Sequence, residues 1–265
     1  MISPTPQDKD FPWWLVALGA LGVFAVWRMW GDPIYEQLVV TLRRGVGITV
    51  MVTLVGFTMA SFMGMGLALM SLSRSLILRQ IARFYVEIVR GVPIIVLLLY
   101  VAFVFAPALV AAYNWAAEGV GAETIRTRDF PLLWRAIIAL AIGYSAFIAE
   151  VFRAGLQSID KGQLEAADAL GLSRWNRFRH IVFPQAIRTI LPPLGNDFVA
   201  MVKDSSLVSV LGVLDVTQLG KVIAASNFRY FETYNVVALI YLTMTVTLSL
   251  LLRRLEVRLR QSEQR

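Results

Sequence analysis

Residues 45–73 and 91–117 carry no charged side chain, and residues 233–252 form another block of the same kind. An α-helix crosses a hydrocarbon core with about 20 mostly apolar residues. Inside lipid the backbone must satisfy its own hydrogen bonds, so such blocks fold as helices or not at all. The sequence therefore predicts an all-α, polytopic transmembrane bundle. Composition agrees: the 265 residues are 57% hydrophobic and 16% charged, against about 45–50% and about 25% in soluble domains. The chain has no cysteine and one histidine, His180, which excludes thiolate metal sites, disulfides and cysteine nucleophiles. The net charge of +7 in such a chain reflects Lys and Arg retained on the cytoplasmic side, and no nucleic-acid partner is expected.

Six spans are read along the chain. The first, 11–27, is uncharged and flanked by Trp13, Trp14, Trp27 and Trp30, indoles suited to the two interfaces. The region before it (Gln7, Asp8, Lys9, Asp10) is not basic, and no small-residue cleavage site follows, so it is not a signal peptide. The others are 45–73, 91–117, 132–156 (which carries Glu150 and Arg153), 194–211 (which carries Asp197, Lys203 and Asp204) and 233–252. Arginines concentrate at 74–90, at 153–188 and in the tail from Arg253. The positive-inside rule then places both termini in the cytoplasm, with Arg43 and Arg44 as an outer-side exception. Within the second span Gly56, Ala60 and Gly64 recur every four residues, a stripe that lets another helix approach closely.

The segment 157–188 is the most informative. Residues 163–170 are good helix formers, Gly171 is placed to end the helix in a left-handed cap, and Ser173 is an N-cap for a second helix from Arg174 to about Ile181. Pro184 is expected to interrupt that helix, and Pro192 with Pro193 to mark the entrance to the next span. A helical hairpin on the membrane surface follows. Its residues alone fit an amphipathic surface connector or a docking element for a cytoplasmic partner.

The run Glu165-Ala166-Ala167, Gly171, Ile181-Val182-Phe183-Pro184 resembles the EAA loop of binding-protein-dependent ABC transporter permeases, with Phe183 where a leucine is usual. Arg90-Gly91-Val92-Pro93, Tyr144 to Glu150 and Lys203-Asp204-Ser205-Ser206-Leu207 resemble the polar amino acid uptake branch (histidine, glutamine, glutamate and arginine permeases). The resemblance implies a type I ABC importer permease fold of five spans, to which this chain adds one. It divides the chain into 1–44, a cytoplasmic segment with the extra span, and 45–265, the permease domain. It also implies that Glu165, Ala166, Ala167, Gly171, Ile181 and Pro184 dock an ABC ATPase. A second permease subunit, a periplasmic binding protein that delivers a polar amino acid, and a place in a bacterial inner membrane are implied as well. No cofactor is expected in this chain: it lacks a Gly-x4-Gly-Lys-Ser/Thr phosphate loop, so ATP and Mg belong to the partner ATPase, and the chain is not itself an enzyme.

Ionisable groups inside a membrane face a protein interior or a wet cavity, since each costs roughly 2.5–3.5 kcal/mol at mid-bilayer. Tyr144, Glu150, Asn196, Asp197, Lys203, Asp204, Ser205 and Ser206 are therefore the candidate substrate path, with charges of both signs for a zwitterion. A structural reading stands beside it: Glu150 and Arg153 are three apart and can pair on their own helix. The competing function is a channel or ion-coupled secondary transporter, which would use the intramembrane carboxylates but has no need of the hairpin. An intramembrane enzyme lacks a nucleophile and base.

Overall fold

The computed structural model describes residues 13–29 and 31–261, and every regular element among them is helical. Helix α1 is Trp13–Met29; residues 11 and 12, Trp30, the region before α1 and Arg265 lie outside the described residues. Helix α2, Pro33–Ser71, begins where Asp32 Oδ1 accepts a hydrogen bond from the Ile34 amide at 2.9 Å and Pro33 takes the first helical position, where its missing N–H costs nothing. Its 39 residues span about 58 Å, close to twice a hydrocarbon core of about 30 Å. The expected division at 44/45 thus falls inside one helix. Arg43 and Arg44 are exposed on it and interrupt the apolar run without interrupting the backbone.

The buried face of α2 reads Leu38, Leu42, Gly45, Thr49, Val52, Gly56, Ala60, Gly64 and Ala68, steps of three and four that make one helical stripe. Its first part, Leu38 to Gly45, packs toward the later helices of the chain, and from there on the stripe packs on α6, Leu132–Gln157. The closeness is set by Gly64, where an added Cβ would stand 2.8 Å from Ile148 Cγ2 and 3.0 Å from the Ser145 carbonyl. The small-residue stripe therefore acts in packing, as its spacing predicts. Helix α6 is the axis of the molecule: α2, α3 (Leu76–Gly91) and the third span all contact it, as does the helix after the hairpin.

The third span is built of α4 (Ile94–Tyr100), a π-turn (Val101–Phe105) and α5 (Ala106–Val120). Pro107 explains the π-turn. A proline has no N–H and its ring crowds the carbonyl four residues back; a widened turn just before it displaces that carbonyl. The Ala106 amide accordingly reaches the Val101 carbonyl, five residues back. Gly121, at φ +70°, ends α5, and residues 121–131 return to α6.

After α6 come α7 (Lys161–Ala169) and α8 (Arg174–Arg177). A second π-turn, Phe178–Val182, follows, and then α9, Phe183–Asp204. Pro184 does not interrupt the chain. The same device recurs: a π-turn ends two residues before the proline, the Phe183 amide reaches the Phe178 carbonyl, and the helix runs on. Pro192 and Pro193 likewise lie within α9, so the helix is already formed before residue 194. The span expected at 194–211 is instead the end of α9 plus a 3-10 segment, Ser205–Leu211. Gly212 at φ +77° then turns the chain, and α10, Val216–Asn227, departs at 49°. Asp215 makes the junction: fully buried, it accepts from the Gln218 amide at 2.8 Å and from Tyr241 Oη at 2.9 Å. Tyr241 belongs to α11, Tyr230–Gln261.

Four described helices are long and apolar enough to cross a membrane, Pro33–Ser71, Ile94–Val120, Leu132–Gln157 and Tyr230–Val257, and the number rises to five if the bent pair is one span. The expected count of six included α1, which at 17 residues stands at the short end of the crossing range.

Candidate functional site

The hairpin folds as its sequence predicts up to α8. Asp160 Oδ1 accepts from the Gly162 and Gln163 amides at 2.7 and 3.3 Å and starts α7. At the other end Gly171 has φ +69°. Its amide reaches the Asp168 carbonyl and the Leu172 amide reaches the Ala167 carbonyl, at 3.0 and 3.1 Å, which satisfies the last carbonyls of the helix. Ser173 Oγ accepts from the Asn176 amide at 3.3 Å and caps α8. The arms are joined by Arg177 Nη1 and Asp168 Oδ1 at 2.5 Å. Gln185 Nε2 donates to Gln163 Oε1, also at 2.5 Å, tying α7 to α9.

On this frame Ala167 is buried, Ile181 and Pro184 are half-buried, and Glu165, Ala166 and Gly171 are exposed. Leu170 is 79% exposed and Trp175 64%, so the tip of the hairpin presents apolar surface beside small residues. His180 is exposed, with Nδ1 3.0 Å from the Asn176 carbonyl. Because helix continues from Arg174 to Asp204 through the π-turn, the second arm of the hairpin is a stiff extension of α9.

The structure divides the residues expected to form one substrate path. Tyr144 is buried on α6 and its hydroxyl donates to Asp204 Oδ2 at 2.7 Å, at the far end of α9. One carboxylate oxygen of Asp197, seven residues before Asp204 on α9, is buried without a hydrogen-bond partner among the described residues. Ser205 Oγ is taken up by the Val202 carbonyl at 2.7 Å, so that hydroxyl serves its own helix. Ser206 is half-buried, while Asn196 and Lys203 point away from the packed core and are exposed.

Glu150 belongs elsewhere. It pairs with Arg153, Oε2 to Nη2 at 2.5 Å, as the three-residue spacing allows. The two stand in a cleft of about 390 Å³ between α2, α3 and α6. Arg79, Arg83, Glu87 and Arg90 of α3 line its other wall, with Leu67 and Ser71 from α2. The sequence gives these α3 charges only as a topology signal. Their spacing of four, four and three was the available sign that they share one face. Arg90 also lies over the Phe147 ring at 5.5 Å. The cleft thus offers guanidinium groups and two carboxylates at the end of the bundle near the hairpin-bearing side of α6.

Membrane-crossing helices around a central α6, a stiff surface hairpin and a charged cleft between helices define a transport permease of the type I ABC importer fold. The chain belongs to the family of binding-protein-dependent transport system inner membrane components, which its residues 56–261 match. It is 40% identical over 184 residues to the glutamine transport system permease protein of Escherichia coli (strain K12), covering 69% of this chain and 77% of that one. A crystal structure of an amino acid ABC transporter with histidines superposes with a TM-score of 0.68 at 37% identity, covering 84% of this chain and 95% of that chain. An inward-facing methionine ABC transporter shares the fold at a TM-score of 0.64 and 21% identity, with coverage of 84% and 98%.

Proposed function

We propose that this chain is the transmembrane permease subunit of an ATP-driven importer of polar amino acids, with glutamine the first candidate because the relative named for glutamine transport is 40% identical. The observation that carries the coupling is the hairpin itself: a capped turn at Gly171 presents exposed Leu170 and Trp175, and the arm behind it continues into α9. An ABC ATPase docks there through Glu165, Ala166, Ala167, Gly171, Ile181 and Pro184, and its movement is passed along α9 to the Asp204–Tyr144 contact. A second permease subunit completes the path. A periplasmic binding protein delivers substrate to the outer face, and both termini are cytoplasmic.

The cleft supplies the chemistry for a zwitterion. Glu150 is matched to an ammonium group and the α3 arginines, Arg90 first among them, to a carboxylate. The ammonium competes with Arg153 for Glu150, so ligand entry exchanges one ion pair for another rather than stranding a charge. The test is uptake by the complex reconstituted with its ATPase and binding protein, using labelled glutamine and a panel of other polar amino acids. ATP-dependent accumulation is expected. Accumulation that follows an ion gradient and ignores ATP would refute the reading in favour of a secondary transporter.

A further inference from the structure

Arg135 was not singled out by the sequence, and the functional site does not use it. It lies one turn inside the outer end of α6, is 6% exposed, and among the described residues has no ion pair. No carboxylate lies within four residues of it in the sequence. Its charge is instead spread over three backbone carbonyls: Nε donates to Phe130 at 2.9 Å, Nη1 to Ala102 at 3.0 Å and Nη2 to Thr127. The Phe130 ring lies 5.7 Å from the guanidinium carbon. A buried cation held only by carbonyls tolerates the loss of none of them well.

The three carbonyls come from two different elements. Thr127 and Phe130 belong to the outer strap between α5 and α6. That strap is itself built: Asn114 of α5 exchanges two hydrogen bonds with the Ile125 backbone, at 2.8 and 2.9 Å, and Asp129 Oδ2 accepts from the Arg126 amide at 2.9 Å. Ala102 belongs to the π-turn of the third span. Its carbonyl is free for a reason fixed by the sequence. In the five-residue register its donor would be residue 107, which is a proline and has no N–H. Pro107 thus creates the acceptor that Arg135 fills. The third span then runs inward through α4, where Ile94 and Leu97 pack over Gly143, to Arg90 at the wall of the charged cleft.

We propose that Arg135 is a positioning residue for transport: it joins the outer strap to the π-turn of the third span, so that a protein docking on the strap moves α4 and the cleft wall. The proposal rests on the reading of the chain as a permease served by an outer binding protein. The experiment uses the whole complex in lipid nanodiscs, with Arg135→Lys and Pro107→Ala singly and together. Lysine keeps the charge but lacks the planar fork that reaches three carbonyls. Alanine at 107 removes the cause of the π-turn and lets the Ala102 carbonyl rejoin the helix ladder.

Each single variant is expected to keep basal ATP hydrolysis while stimulation by loaded binding protein falls about fivefold or more. The double variant is expected to be no worse than the more affected single one, because both changes break one contact. Wild-type stimulation in Pro107→Ala, or losses that multiply in the double variant, overturns the proposal. If Arg135→Lys does not assemble, Pro107→Ala alone decides. If the wild-type complex is not stimulated by any binding protein, the functional reading has failed. The link is then judged by the thermal stability of the same four proteins, where additive shifts in Tm overturn it.

Discussion

At the scale of single residues, the charges separate into those that stabilise and those that are available. Glu150 and Arg153 are each more than a third exposed, so their mutual attraction is screened and contributes little to folding. That leaves Glu150 available to a ligand. Glu150→Gln keeps the shape and removes the charge. The loss of one charge-assisted hydrogen bond, about 1.5–3 kcal/mol, is expected to raise the KM for uptake about tenfold or more, with kcat and assembly near wild type. An unchanged KM would remove the cleft from the substrate path. Of the candidate path residues, Tyr144 and Asp204 do meet, but Glu150 stands apart from them, paired with Arg153. Spacing along two different helices cannot give the rotation of one about the other, so sequence could group residues by helix face and no further. Arg135 was hidden for a related reason: its partners are backbone carbonyls, which leave no trace in side-chain identity.

At the scale of elements, the hairpin was legible because its signals are local. Gly171 and Ser173 each act on backbone groups within five residues, and those contacts are present; the Asp160 cap that opens α7 is equally local but was not read from the sequence. The prolines were less legible. Pro184 reads as a helix breaker only if the helix keeps its α register, and the π-turn at Phe178–Val182 removes that premise. The hairpin yields the sharpest test. An added Cβ at Gly171 would meet nothing within 4 Å, so a substitution there acts through backbone conformation alone. Valine resists a positive φ, at a cost of about 1–3 kcal/mol, whereas asparagine tolerates it. Gly171→Val is expected to misdirect Leu170 and Trp175, leaving membrane insertion intact while ATP hydrolysis and uptake by the complex fall together about tenfold. Gly171→Asn should keep most of both. Coupled transport at the wild-type rate in the valine variant would remove the hairpin from ATPase docking.

At the scale of the whole molecule, the apolar blocks gave the bundle, and the family match does not extend to α1. Its described side chains are exposed or half-buried, the first core residue among the described ones is Leu38, and the family match begins at residue 56. Helix α2 needs nothing from α1 to start, because Asp32 caps it and Pro33 opens it. Arg43 and Arg44 also find a place at this scale. A helix of about 58 Å in a core of about 30 Å leaves several turns outside the hydrocarbon, and the exposed arginines sit in the first third of it. A chain that begins at Asp32 is therefore expected to insert, assemble and transport as the full chain does, with a Tm for the complex within about 2 °C, less than 1 kcal/mol produces in a domain of this size. Deletion into α2 is different. A start at residue 44 removes Leu38 and Leu42, which pack with Val216, Val236 and Val237 where α2 meets α10 and α11. Truncating two such leucines costs about 2–5 kcal/mol each in a packed core, and lost assembly is expected. Purified yield, thermal unfolding and uptake of the two truncated complexes distinguish these outcomes. If the chain starting at Asp32 fails to assemble, α1 holds part of the complex together, and the bundle is not the self-sufficient unit that its packing describes.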